Sequence, residues 1–245
     1  PHYWRDVVVA HRFTGAEIGR VTGDSRELKG PSPKGPAILP YPGGRHPRIG
    51  FLEGQVAPMR GTKASVFLPW KDSGYAVIDV PEAIFANGEL IFLGHTHIPT
   101  KWDRQNIVIS NRDWTRNADG SLTSDWTLPD KVALGASVRL ERGEVRMSLW
   151  VRNGSDKALR AMRSQVCVML AGAPDFAAQT NSNKVFSAPR AEVKGSRGQR
   201  LVTEWEDCHR VWGNERCPCF HSDPKLPDCE PGQTVRREGR LWFES

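Results

Sequence analysis

The chain has 245 residues, 38% of them apolar and 25% charged, and 34 Lys plus Arg against 28 Asp plus Glu leave a net charge of +6. That length admits one large all-β domain or two small ones, and it can bury a core without disulfide staples. No apolar run reaches the 18 or so residues of a membrane span, and no basic-then-apolar leader is visible after Pro1, so a membrane is not an expected partner. The basic residues are scattered and no nucleic-acid motif accompanies them, so nucleic acid is not expected either; a mildly basic surface suits an acidic polysaccharide better.

In chain order, residues 1–63 are rich in Gly, Pro and Arg and read as a loop-rich N-terminal portion of a single β-sandwich domain spanning 1–245. Gly30-Pro31-Ser32-Pro33-Lys34-Gly35-Pro36 must be turn or extended loop, because proline fixes φ and removes a donor. Strand-length apolar runs follow at Ala64–Leu68, Tyr75–Val80 and Leu90–His97, with single helical turns expected over Pro81–Ala86 and Lys157–Met162. Val132–Leu140 and Val145–Val151 both alternate, and Arg142-Gly143-Glu144 between them predicts a hairpin. Asn153-Gly154 is a further turn signal, and later runs cover Gln165–Leu170, Leu201–Trp205 and Leu241–Phe243. From Cys208 to Cys229 the prolines predict an irregular loop. With no helical segments of 10–15 residues between strands, the expected fold class is all-β, a sandwich of two antiparallel sheets with few short helices.

The cysteines divide in the same way. Cys167 lies in an apolar run and reads as a small buried hydrophobe. Cys208, Cys217, Cys219 and Cys229 allow three pairings, lack the C-x2-C knuckles of common zinc modules, and leave thiols, disulfides and a metal all open.

Val145-Arg-Met-Ser-Leu-Trp-Val-Arg-Asn-Gly-Ser-Asp156, then Gln165-Val-Cys-Val-Met-Leu170, resembles the central strands of the galactose mutarotase-like β-sandwich superfamily. Pro231-Gly232-Gln233 leading into a closing strand is similar too, so the resemblance covers roughly residues 125–245. It implies a carbohydrate substrate and a sugar-binding sheet face, with Gln165 near the place of a family histidine.

The residues themselves offer four constellations. Gly94-His95-Thr96-His97 extends an apolar run; on a strand the two imidazoles share a face about 7 Å apart and can converge on one divalent metal or one polar ligand. H-x-H also opens the cupin metal motif, for which Asp103 and then His209 or His221 could complete a site, although the cupin glycine spacing is absent. Arg45-His46-Pro47-Arg48 with Glu53 follows Gly43-Gly44; here Arg48 offers a fork to carboxylates and Glu53 an acceptor for hydroxyls. Nine tryptophans supply flat faces for sugar rings, Trp102 foremost because it lies five residues beyond His97. Glu204 and Glu206 share a strand face beside His209 and could divide acid and base roles.

No G-x-S-x-G elbow, P-loop or dinucleotide fingerprint is present. With the mutarotase-like resemblance implying a carbohydrate substrate, the expected function is a carbohydrate-active enzyme, a glycoside hydrolase, lyase or epimerase. His95, His97, His209 and Glu204 are its catalytic candidates, and Arg48, Glu53, Trp102 and Gln165 its substrate contacts. It needs no cofactor, or else one divalent metal on His95 and His97. A cupin-like metal enzyme and a non-catalytic carbohydrate-binding module are the alternatives.

Overall fold

The computed structural model describes residues 5–43, 61–94 and 98–245. Among the described residues, fifteen strands run β1 Ala37–Pro40, β2 Lys63–Phe67, β3 Tyr75–Ala86, β4 Glu89–Leu93, β5 Thr115–Arg116, β6 Leu122–Thr127, β7 Ala133–Glu141 and β8 Glu144–Arg152. They continue as β9 Arg163–Met169, β10 Lys184–Ser187, β11 Arg190–Lys194, β12 Arg200–Trp205, β13 Cys208–Asn214, β14 Cys219–Pro224 and β15 Thr234–Glu244. Two short helices, α1 Arg5–Ala10 and α2 Gly15–Thr22, precede them.

All ladders between these strands are antiparallel and form two sheets. The first has the order β1-β2-β3-β9-β14-β13, with β4 also on β3; the second has the order β10-β11-β12-β15-β8-β7-β6-β5. The fold is the expected β-sandwich. Its core fills from the inward faces of both sheets: Ile78, Ile84, Val166, Val168 and Phe220 from the first meet Leu134, Met147, Leu149, Leu201 and Leu241 from the second. Burying each such side chain stabilises the fold by about 1.5–3 kcal/mol before entropy is charged against it.

The expected hairpin is β7–β8. Its loop is Arg142-Gly143, both at positive φ (51° and 82°), which is what a two-residue turn matched to strand twist requires. The glycine removes the steric cost at the second position.

Three local expectations fail for physical reasons. Pro81–Ala86 continues β3 rather than forming a helical turn. Two more residues lie on β3 than on β9 between the pairs Asp79↔Cys167 and Ala83↔Gln165, so Pro81 sits where the ladder asks for no donor. Lys157–Met162 is irregular as well; Leu159 bridges to Cys229, and Asn153, fully buried, donates from Nδ2 to the carbonyls of Lys157 and Cys229 at 2.8 and 2.9 Å. The Cys208–Cys229 stretch holds β13 and β14, because Pro218 precedes β14 and Pro224 ends it, where missing donors cost little.

Within the N-terminal portion, α2 carries a capping box: Thr14 Oγ1 accepts from Glu17 N, and Glu17 Oε2 accepts from Thr14 N at 2.8 Å. After α1, His11 inserts between the rings of Tyr41, Phe67 and Tyr75, and its Nε2 lies 2.6 Å from Ser65 Oγ. The helical segment thus covers one end of the outer face of the first sheet. At the other end that face turns polar.

Candidate functional site

Register decides which side chains share this face. Lys63 pairs with Asp79, Asp79 with Cys167, Cys167 with His221, and His221 with Trp212, so one row crosses β2, β3, β9, β14 and β13. Residues directly opposite hold their Cβ atoms about 4.5–5.5 Å apart, so each can touch the next. Lys63 Nζ lies 2.6 Å from Asp79 Oδ2 with both side chains almost wholly buried. The Trp212 and His221 rings stack with centroids 4.0 Å apart and an interplanar angle of 18°. The Arg210 guanidinium lies 4.4 Å from the centre of the Trp212 ring.

Asp223, two residues after His221 on β14, is fully buried and heavily used. Its Oδ1 accepts from Val166 N at 3.0 Å, and its Oδ2 accepts from Trp212 Nε1 at 2.8 Å and faces Arg210 at 3.4 Å. His221 Nδ1 lies 3.4 Å from Asp223 Oδ1 and 3.9 Å from Glu82 Oε2, while its buried Nε2 makes no hydrogen bond among the described residues. Burial alone would lower the imidazole pKa. Contacts with Asp223 and Cys219 and the charges of Glu82 and Asp223 outweigh it and raise the value to about 10.

Two irregularities supply the remaining groups. The extra length of β3 lets Val80 stay in the core while Glu82, two residues on, turns outward toward His221, against simple alternation. Glu82 also accepts at its carbonyl from Gly94 N (2.7 Å), and a Cβ on Gly94 would lie 2.7 Å from Thr62 Oγ1, so glycine is required at this approach. In β13 the pairs Cys208↔Pro224 and Arg210↔Asp223 leave His209 as a bulged extra residue. Its exposed ring is held below the ordinary imidazole value by partial desolvation, with Arg163 and Arg210 adding and Asp223 opposing.

Of the residues proposed from sequence, this face brings together His209 and Gln165, which is half-buried on β9 opposite Ala83. It does not gather Glu204. That carboxylate stands on β12 in the second sheet, hydrogen-bonded to Arg190 (3.0 Å) and Arg240 (2.7 Å); burial would raise its pKa, but the two arginines hold it below the usual range. Trp102 is 5% exposed in the core, its Nε1 donating to Ile91 O at 2.9 Å, so its ring faces no solvent. His95, His97, Arg48 and Glu53 lie outside the described residues, as does the metal site expected on the two histidines.

Sequence reasoning passed over Glu82, Asp79 and Lys63, gave no role to Asp223 in a site, and counted Trp212 only among the tryptophans suited to stacking on a sugar ring. Part of the signal for β14 was present: Cys219, His221 and Asp223, three chemistry-bearing residues, recur with period two. The neighbouring prolines hid it.

No family model and no curated protein matches this sequence. Among solved structures, the chain is similar to a human-microbiome protein described as a kojibiose phosphorylase, with 10% identity and a TM-score of 0.45 over 69% of this chain and 23% of that one. A protein from Synechocystis sp. PCC 6803 matches at 10% identity and TM-score 0.41 over 75% of this chain and 87% of that one. A polysaccharide lyase matches at 9% identity and TM-score 0.42 over 78% of this chain and 32% of that one. The chain thus spans about a quarter of the length of the first of these and about a third of the lyase. Two of these three structures carry the name of a carbohydrate-active enzyme.

Proposed function

We propose that the chain acts on a carbohydrate at the polar end of the outer face of the first sheet, and that its substrate is an acidic polysaccharide. The observation that carries this reading is the pair of strand irregularities that turn Glu82 and His209 onto one face beside Gln165. Bulges commonly re-aim side chains next to active sites. His209 is depressed toward the neutral form and reaches solvent, which suits a group that takes a proton. Arg163 and Arg210 flank it, and a cation beside a uronate carboxylate stabilises the negative charge that develops when the adjacent carbon loses its proton.

That step begins both β-elimination and C5 epimerisation of a uronate. Hydrolysis fits less well, because it ordinarily needs two working carboxyl groups. Here Asp223 is engaged by Val166, Trp212 and Arg210, and Asp79 by Lys63, so two of the carboxyls of the face are already committed. A purely binding role would fall to the half-buried Trp70, Trp150, Trp212 and Trp242, since Trp102, Trp114, Trp126 and Trp205 are all in the core.

The test is an assay of the untagged chain on uronate-containing and neutral polysaccharides, reading unsaturated uronate formation and deuterium uptake from solvent. Glu82→Gln and His209→Ala should each reduce turnover by about 10²–10⁴-fold with the fold retained. Release of reducing ends from a neutral glycan with neither signal, or variants that turn over normally, would refute the reading.

A further inference from the structure

The thiols on this face carry a second inference. Cys219 and His221 alternate along β14, and Cys167 stands directly opposite His221 on β9. One donor atom from each of the three lies within 4.8 Å of the other two, and all three side chains are buried. A fourth donor is at hand: the Cys219 thiol contacts Cys217, itself buried, as well as Cys167. No disulfide joins any of the five cysteines.

The geometry points to a metal site in which Cys167, Cys217, Cys219 and His221 Nε2 hold one zinc ion. Three thiolates and an imidazole are a donor set that zinc takes in tetrahedral geometry, and hard cations such as Mg²⁺ do not compete well for it. An independent observation supports Nε2 as the ligand. It is a buried nitrogen with no hydrogen bond of ordinary geometry, in a ring that also contacts the Cys219 thiol, whereas Nδ1 faces the Asp223 and Glu82 carboxylates at 3.4 and 3.9 Å. A metal-bound histidine characteristically donates its other N–H to a carboxylate, which fixes tautomer and ring orientation. Asp223 is in turn fixed by Val166 N and Trp212 Nε1, so the supporting shell is built. Binding must release the thiol protons and leave Nε2 unprotonated; the ion takes the place of those protons, and no oxidant or reductant is involved.

This site is separate from the carbohydrate reading, because neither Glu82 nor His209 is a ligand. The experiment is elemental analysis of the full, untagged chain purified without chelator, followed by cobalt(II) titration of the stripped protein. About one zinc per chain is expected, together with the intense thiolate-to-cobalt charge-transfer and tetrahedral ligand-field bands of a sulfur-rich site. Cys167→Ser and Cys219→Ser should abolish the charge-transfer band or weaken binding by at least about tenfold, while Cys208→Ser leaves both unchanged. Where a buried substitution prevents folding, Cys217→Ser, confirmed as folded by circular dichroism, should still reduce the charge-transfer intensity. The proposal is overturned if the folded chain takes up neither metal. It is equally overturned if bound cobalt shows no thiolate band, or if its spectrum survives intact in folded Cys167→Ser, Cys217→Ser and Cys219→Ser. Loss of polysaccharide turnover in Glu82→Gln with metal content unchanged would confirm that the two readings stand or fall separately.

Discussion

At the scale of single residues, the Lys63–Asp79 pair is the sharpest test of how the outer face is held. Both side chains are almost wholly buried, so the Lys63 ammonium depends on Asp79 for stabilisation that water no longer supplies. Asp79→Ala should destabilise the fold by about 3–5 kcal/mol, because it strands the Lys63 ammonium. Replacing both by apolar residues of similar size, Lys63→Met with Asp79→Leu, should cost far less than Asp79→Ala alone. Urea unfolding of the single and double variants checks this; equal losses would mean that the pair is not coupled. Sequence reading could not have found it. Lys63 and Asp79 are sixteen positions apart in runs that look merely apolar, and only register sets them opposite. His209 and Gln165 were legible because histidine and a strand-borne amide announce chemistry by type. Glu82 was not, since its outward turn depends on an excess of β3 residues that no local pattern reveals.

At the scale of elements, close approach between strands leaves a clear signature. Gly239 on β15 pairs with Trp205 on β12, and a Cβ there would fall 2.4 Å from the indole. Gly239→Ala should therefore destabilise by about 1–3 kcal/mol through overpacking, seen as a lower urea midpoint at unchanged m-value. The α2 capping box predicts a smaller loss, about 1 kcal/mol for Thr14→Ala. The adjoining α1 is tied to β5 by Asp6, whose carboxylate accepts from Arg116 at 2.8 and 3.2 Å. The Arg116 hydrogen bond, the largest cause, lowers the Asp6 pKa below 3.8, with burial opposing.

The sign then follows from linkage. A depressed native carboxylate gives stability that is present above pH 3.8 and lost as pH falls through its native value, because the unfolded chain binds the proton first. In an acid titration, Asp6→Asn should remove this component of stability loss, and an unchanged profile would count against it. The β7–β8 hairpin was readable because alternation and a glycine turn agree. The capping box Thr14-Gly-Ala-Glu17 was readable in principle, but the glycines and prolines around it drew the whole segment into the loop class.

At the scale of the whole molecule, the sandwich was legible from many short alternating runs and the lack of helical periodicity between them, while the strand order was not. Adjacent runs predict hairpins, yet β9 pairs with β3 and β14, and β15 pairs with β8 and β12, across long stretches of chain. Such pairings arise from burial of whole faces, which a reading of local pattern does not see. None of the described helices is long and apolar enough to cross a membrane.

The position of β15 has a consequence for how the molecule is made. During synthesis, β8 and β12 emerge from the ribosome well before the strand that must lie between them. Until residues 234–244 are free, each of those two strands lacks its neighbour on one side, and the second sheet exists as two separated halves. Closure of the second sheet thus comes later than the making of its other strands, and the exposed edges of the waiting halves are the moment of greatest risk from other chains. A chaperone that shields strand edges would be needed most in that interval, and a premature stop codon anywhere before β15 would turn a transient hazard into a permanent one.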